Sequence, residues 1–274
     1  MKDFKGKVAV ITGAGSGIGR ALALDLAKRG ARLALSDINA EAAKVTAVAC
    51  AEHGVEAVGY ALDVADRDAF YAHADEVVTT FGTANLMINN AGVALTADVL
   101  DLSWEDFEWI MGINFWGMCY GTKAFLPHLI ASGDGYLVNV SSLFGLIAVP
   151  SQSAYNASKF AIRGFTEALR QEMDAAGHPV KVSCVHPGGI KTNIARSARA
   201  AGTADAETLA KAFDRVARTS PEGAARTIVR GIQHERPRIL VGVDARALDG
   251  MQRLLGSTYQ SVIRRGSGAL FPRK

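Results

Sequence analysis

The chain has 274 residues, 49% of them hydrophobic, which suits one large domain or two small ones with a well-packed core. A net charge of only +3, with no dense basic block interleaved with aromatics, argues against nucleic-acid binding. Cys50, Cys119 and Cys184 are odd in number and far apart, which argues against a disulfide framework or a zinc site and for a reducing, cytoplasmic setting, and no stretch reaches the roughly 18 apolar residues of a membrane span.

The first residues, MKDFKGKVAVITGAG, carry only a short apolar run and lead straight into a glycine loop, unlike a signal peptide. VAVIT (Val8 to Thr12) reads as a buried strand and GIGRALALDLAKRG as a helix closed by Gly30. Between them, TGAGSGIG follows a strand and opens a helix, the context in which a glycine pattern points to a phosphate. Gly13 permits the tight turn, Gly17 lets the backbone approach a pyrophosphate, and Gly19 permits close helix packing; the helix N-terminus then offers N–H groups and a positive dipole.

RLALSD is a second strand, ending on Asp37, about 20 residues past the loop, where an acid can bind both ribose hydroxyls of NAD. A carboxylate there repels a 2'-phosphate, and neither Ser16 nor Ile38 supplies a charge to recruit one, so NAD is favoured over NADP. A helix follows from about Ala40 to His53. VEAVGYALDV, NLMINNAG, YLVNVSS and VKVSCVHPGG are four more strands separated by helix-length sequence, and RILVGV, near Arg238 to Val243, is a last one. About seven strands alternating with helices predict an α/β fold: a single Rossmann-type, doubly wound parallel sheet with helices on both faces. The turns SDIN, LDV, NNAG, NVSS and HPGG all fall at strand ends and should converge on one crevice. No internal repeat or linker argues for a second domain, so residues 1–274 are expected to form one.

In YNASK, Tyr155 and Lys159 are i and i+4 on a predicted helix and share a face. A free tyrosine titrates near pH 10, and a nearby ammonium stabilises its phenolate, so the pair suits proton transfer to or from an alcohol oxygen. His186, alone before Pro187, reads as structural, and with no second ligand at metal spacing no metal is expected.

The G-x-x-x-G-x-G spacing of the loop, with NNAG, YNASK and HPGGIKT, resembles the classical short-chain dehydrogenase/reductase family from about Lys5 to Val243. The resemblance implies an oxidoreductase with Asn114, Ser142, Tyr155 and Lys159 as the catalytic set. Asn114 would help hold a water-mediated proton relay. Ser142, thirteen residues before Tyr155, would bond the substrate oxygen, with Ser141 as second choice. Lys159 would also hold the nicotinamide ribose.

Ser16 and Ile18 of the loop join the implied cofactor contacts; Asp63 and Val64 would flank the adenine, and the Asn90, Ala91 and Gly92 backbone would line the ribose. Pro187, Gly188, Ile190 and Thr192 would position the nicotinamide. The family further implies a substrate lid near residues 191–220 and a homodimer or homotetramer formed by the long helices carrying Asn114 and Tyr155.

LFGLIAVP (Leu143 to Pro150) is apolar beside the serine, and its side chains are expected to be divided between a hydrophobic substrate pocket and ordinary core. That favours an apolar secondary alcohol or its ketone, with an NADP-linked ketoacyl-type reductase or a non-catalytic dinucleotide sensor as alternatives. The extension 244–274 carries an apolar stripe of Met251, Leu254, Leu255 and Val262 with Arg253, Arg264 and Arg265. Packing on the domain or a sister subunit is the expected use of that helix, ahead of a membrane surface.

Overall fold

The computed structural model describes residues 1–192, 194, 198–200 and 217–270, the side chains of 266–270 excepted. Seven parallel strands form one sheet: β1 (Val8–Thr12), β2 (Arg32–Asp37), β3 (Ala57–Ala61), β4 (Leu86–Asn89), β6 (Gly135–Val140), β7 (Val180–Pro187) and β9 (Arg238–Val241), in the order β3-β2-β1-β4-β6-β7-β9. The chain builds outward from β1 to β3, then returns across β1 and builds the other way, so a crevice opens between the ends of β1 and β4.

Side-chain alternation explains why both faces are covered. In β1, Ala9 and Ile11 join the core under α1 (Gly17–Ala27), α2 (Ala40–Ala51) and α7 (Pro221–Gln233). Val8 and Val10 point the opposite way, into the core under α3 (Arg67–Phe81), α5 (Gly117–Ala131) and α6 (Ser153–Ala175). Every residue of β1 is therefore buried, which is why the run is apolar without alternation.

Several strands are shorter than their apolar runs, because the last residues of VEAVGYALDV, NLMINNAG and VKVSCVHPGG leave the ladder to form the crevice. A second, two-stranded parallel sheet, β5 (Leu95–Thr96) with β8 (Arg199–Ala200), is too short to read from periodicity. The helix carrying Asn114 is not regular: α4 (Trp104–Met111) passes through a π-helical turn, Gly112–Trp116, into α5. Asn39 caps α2, accepting the Ala42 N–H at 3.1 Å. Most of the expected lid falls outside the described residues.

The C-terminal extension forms α8 (Val243–Leu255) and α9 (Tyr259–Leu270). Met251, Leu248, Tyr259 and Ile263 pack on Leu143, Leu146 and Ile147, whereas Leu254, Leu255 and Val262 of the expected stripe are exposed. Leu143, Leu146 and Ile147 are thus the core share of LFGLIAVP, covered by the extension. All three cysteines are buried free thiols, and burial pushes Cys184 up to about 12. Among the described residues no helix is long and apolar enough to cross a membrane.

Candidate active site

The glycine loop is shaped by what its missing side chains admit. Gly13 and Gly17 have φ of +63° and +53°, the left-handed region. A Cβ on Gly13 would lie 2.9 Å from Ala91 Cα, so the loop rests directly on the NNAG turn. A Cβ on Gly17 would lie 3.1 Å from Thr192 Cγ2, so the HPGGIKT segment reaches the helix N-terminus where a pyrophosphate would sit.

Thr12 welds loop to turn: its hydroxyl accepts the Asn90 and Ala91 N–H groups, each at 3.0 Å, and the Asn90 amide donates back to Thr12 O at 2.9 Å. Thr12 was not singled out in the sequence, where it reads as the last residue of a buried strand.

Asp37 turns one carboxylate oxygen to the Gly15 N–H at 2.9 Å and the other to the Asn39 N–H at 2.9 Å. It thus faces the glycine loop from the end of β2. Ser16 precedes α1 in extended conformation without a side-chain cap bond, and Ile18 is partly buried in its first turn. Asp63 is exposed and accepts the Ala65 N–H at 2.9 Å, and Val64 packs where Gly117 of α5 has no side chain.

YNASK is not a solvated helix edge: Tyr155, Asn156, Ser158 and Lys159 are all buried. Asn156 Nδ2 donates to Phe144 O at 2.8 Å and Ile147 O at 3.0 Å, and its Oδ1 accepts the Val149 N–H at 3.1 Å, pinning the segment after the serines to α6. Ser158 donates to Tyr155 O at 2.8 Å and accepts from Asn114 Nδ2 at 3.1 Å. Asn114 spans the crevice with its amide, accepting the Val93 N–H at 2.8 Å and donating to Val93 O at 3.0 Å. Its Oδ1 and Lys159 Nζ both border Gly92.

Geometry separates the two serines. Ser141 turns away and donates to Lys159 O at 2.8 Å, whereas Ser142 accepts the Phe144 N–H at 3.1 Å and its hydroxyl lies on the Tyr155 side, where it favours the phenolate. His186 Nδ1 meets Ser142 O at 2.9 Å; a carbonyl only accepts, so Nδ1 carries the proton. Burial pushes this imidazole down to about 4, which keeps it neutral.

Lys159 Nζ lies 5.6 Å from the Tyr155 ring centroid and donates to Val140 O at 3.2 Å. Burial holds Lys159 down to about 8. In the protein alone, burial pushes the Tyr155 phenol up, partly offset by the Ser142 hydroxyl. The expectation of a tyrosine lowered by its lysine is corrected for this state: desolvation of the phenolate is the largest effect, and the Ser142 hydroxyl, not Lys159, offsets it in part.

Around Tyr155 the wall is apolar, with Leu95 and Ile110 buried and Val93, Ala94 and Phe144 half-buried; the Phe144 and Tyr155 rings meet edge-on at 6.0 Å. Beyond the phenol, the Pro187–Thr192 segment is held at Gly189, whose N–H is accepted by Asp244 at 2.6 Å. Asp244 is a second residue that the sequence did not single out. Among the described residues no group of three or more His, Cys, Asp and Glu could hold a metal.

The family profile described as short chain dehydrogenase matches residues 7–203. Over 273 residues the chain is 56% identical to the Mycobacterium tuberculosis protein SadH, which carries the name of an oxidoreductase, with 99% of each chain covered. Over 264 residues it is 32% identical to Mus musculus estradiol 17-beta-dehydrogenase 11, covering 96% of this chain and 84% of that one. The crystal structure of a short chain dehydrogenase/reductase from Burkholderia phymatum in complex with NAD is similar at a TM-score of 0.87 and 31% identity, over 95% of this chain and 96% of that one.

Proposed function

The chain belongs to the short-chain dehydrogenase family, and on that premise we propose that it is an NAD-dependent oxidoreductase acting on an apolar secondary alcohol or its ketone. The observation that carries this reading is that Ser142, Tyr155 and Lys159 are all buried at the strand ends, with the Lys159 Nζ 5.6 Å from the Tyr155 ring centroid.

The residues present fit a dinucleotide. Lacking side chains, Gly13, Gly15 and Gly17 let the loop backbone lie directly against Ala91, Ala42 and Thr192, and Asp37 meets the loop at the Gly15 N–H. Asp37 favours a free 2'-hydroxyl on the adenosine ribose, hence NAD. Asp63 and Val64 would flank the adenine, Gly92 and Lys159 the nicotinamide ribose, and Pro187 to Thr192 the nicotinamide. The bound cofactor supplies the hydride acceptor for oxidation or the hydride donor for reduction.

Tyr155 takes the hydroxyl proton during oxidation and returns it to the carbonyl oxygen during reduction. Ser142 donates a hydrogen bond to that oxygen as its charge changes, from a main chain that His186 and Asn156 hold still. Asn114, bonded to Val93 and Ser158, keeps the crevice open beside Lys159 so that a water can pass protons to solvent.

The apolar wall of Val93, Ala94, Leu95 and Phe144 supports a hydrophobic substrate, as does the likeness to an estradiol dehydrogenase, whose named substrate position is a secondary alcohol on an apolar skeleton. Exposed Trp116 and Phe160, on the helical stretches carrying Asn114 and Tyr155, suit a homodimer or homotetramer face. Buried, unpaired thiols suit a cytoplasmic setting.

The test is a panel of secondary alcohols and ketones read at the reduced-nicotinamide absorbance, with NAD and NADP, in both directions. Turnover with NAD is expected, and Tyr155→Phe should bind NAD nearly as wild type while losing turnover. Greater thermal stabilisation by NADP than by NAD would overturn the cofactor reading, and tight NAD binding with silence across the panel would favour a sensor.

A further inference from the structure

Two amides of the HPGG turn are held from a part of the chain that the family motifs do not include. The Gly188 N–H donates to Val241 O at 2.9 Å, and the Gly189 N–H donates to Asp244 Oδ2 at 2.6 Å, across 55 residues. Asp244 sits in the first turn of α8, where the helix N-terminus favours a carboxylate. Its carboxylate occupies the space that side chains would take at both Gly188 and Gly242: a Cβ on Gly188 would overlap both oxygens, and a Cβ on Gly242 would overlap Oδ1. Gly242 also has φ +103°, which an L side chain rarely adopts. On the opposite side, Gly189 O accepts the Thr219 N–H at 3.3 Å, and the Lys191 N–H donates to Thr219 O at 2.9 Å.

We propose that Asp244 is a positioning residue for the cofactor: its carboxylate sets the orientation of the Gly188–Gly189 peptide, and through it the Ile190 main chain that would meet the nicotinamide carboxamide. This rests on the dinucleotide reading of the site. Gly188 is small because Asp244 fills its side-chain space, so its tolerance of a methyl group is decided by the C-terminal extension. Asp244, at the start of the extension, thus belongs to the cofactor site through the peptide it holds. The acceptor oxygen does the holding, so an uncharged acceptor of the same shape should largely substitute for it.

The experiment compares wild type with Asp244→Ala, Asp244→Ser and Asp244→Asn, each with and without Gly188→Ala, reading the Kd for NAD by calorimetry, kcat and substrate KM, and fold by circular dichroism. Asp244→Ala is expected to weaken NAD binding about tenfold, the loss of one hydrogen bond, with less change in substrate KM. Asp244→Asn should stay within about threefold of wild type, since its amide oxygen still accepts the Gly189 N–H. Gly188→Ala should cost more NAD affinity in wild type than beside Asp244→Ala, where the overlap is relieved. Asp244→Ser keeps a polar first turn for α8 yet cannot reach Gly189; it should behave as alanine, and decides the matter if alanine does not fold. Unchanged NAD affinity in the folded alanine or serine variant would overturn the proposal, as would equal cost of Gly188→Ala in both backgrounds. Wild type that binds neither NAD nor NADP would remove the dinucleotide reading itself, before any variant is compared.

Discussion

The Tyr259 hydroxyl accepts the main-chain N–H of Ala148 at 2.9 Å, joining the C-terminal extension to the segment that follows Ser142, across 111 residues. Together with Asp244 on Gly189, it means that the extension grips the site from both the serine side and the HPGG side. Tyr259→Phe keeps the buried ring and removes only that bond. Stability should fall by about 1 kcal/mol, or roughly 2–4 °C in melting temperature. Substrate KM should rise while the Kd for NAD stays unchanged, because Ala148 is on the serine side only. A shift in NAD affinity equal to that in KM would remove this division of labour.

The two serines should respond differently to alanine. Ser142→Ala removes the hydroxyl beside Tyr155 and should lower kcat about a hundred- to a thousandfold with NAD binding preserved. Ser141→Ala removes a buried bond to Lys159 O, which should cost about 1 kcal/mol of stability and leave kcat within a few-fold. Steady-state kinetics and a melting curve on both variants check the order; a larger kcat loss from Ser141→Ala would reverse the assignment.

Lys159 and Tyr155 are pushed in opposite directions by the same burial. At neutral pH the lysine is charged and the tyrosine protonated, the state that donates to a ketone. As pH rises through about 8, Lys159 loses its proton. The rate of ketone reduction at saturating substrate should therefore fall on a limb near pH 8, and Lys159→Met should be slower and lack that limb. A wild-type profile that is flat between pH 7 and 9 would contradict this.

His73 and His186 are each held down to about 4 by burial, against an ordinary 6.5. The unfolded chain takes up protons below 6.5 that the folded one refuses until about 4, so the stability each contributes is present above 6.5 and is lost as pH falls toward 4. Between pH 7 and pH 5 each should remove about 2 kcal/mol. Urea unfolding at the two pH values checks this. His73→Phe keeps a ring among Tyr60, Phe70 and Phe125 and should roughly halve the pH dependence, whereas an unaltered dependence would count against it.

The sequence by itself determined the parallel sheet, the glycine loop and the shared face of Tyr155 and Lys159. These depend on local spacing: β-branched apolar runs for buried strands, glycines where a helix begins, and a four-residue step for one helical turn. What it left open was decided by contacts between distant segments. Ser142 rather than Ser141 adjoins Tyr155 because α6 packs against the end of β6 and occupies Ser141 with its own main chain. LFGLIAVP is largely core because the extension folds back over it. Thr12 joins Asn90 across 78 residues and Asp244 joins Gly189 across 55. No periodicity carries such pairs, because each exists only once the sheet has brought its strand ends together. The local pattern thus specified which groups could do chemistry, and tertiary packing decided which of them meet, since burial and hydrogen-bond partners belong to the folded arrangement and not to the spacing along the chain.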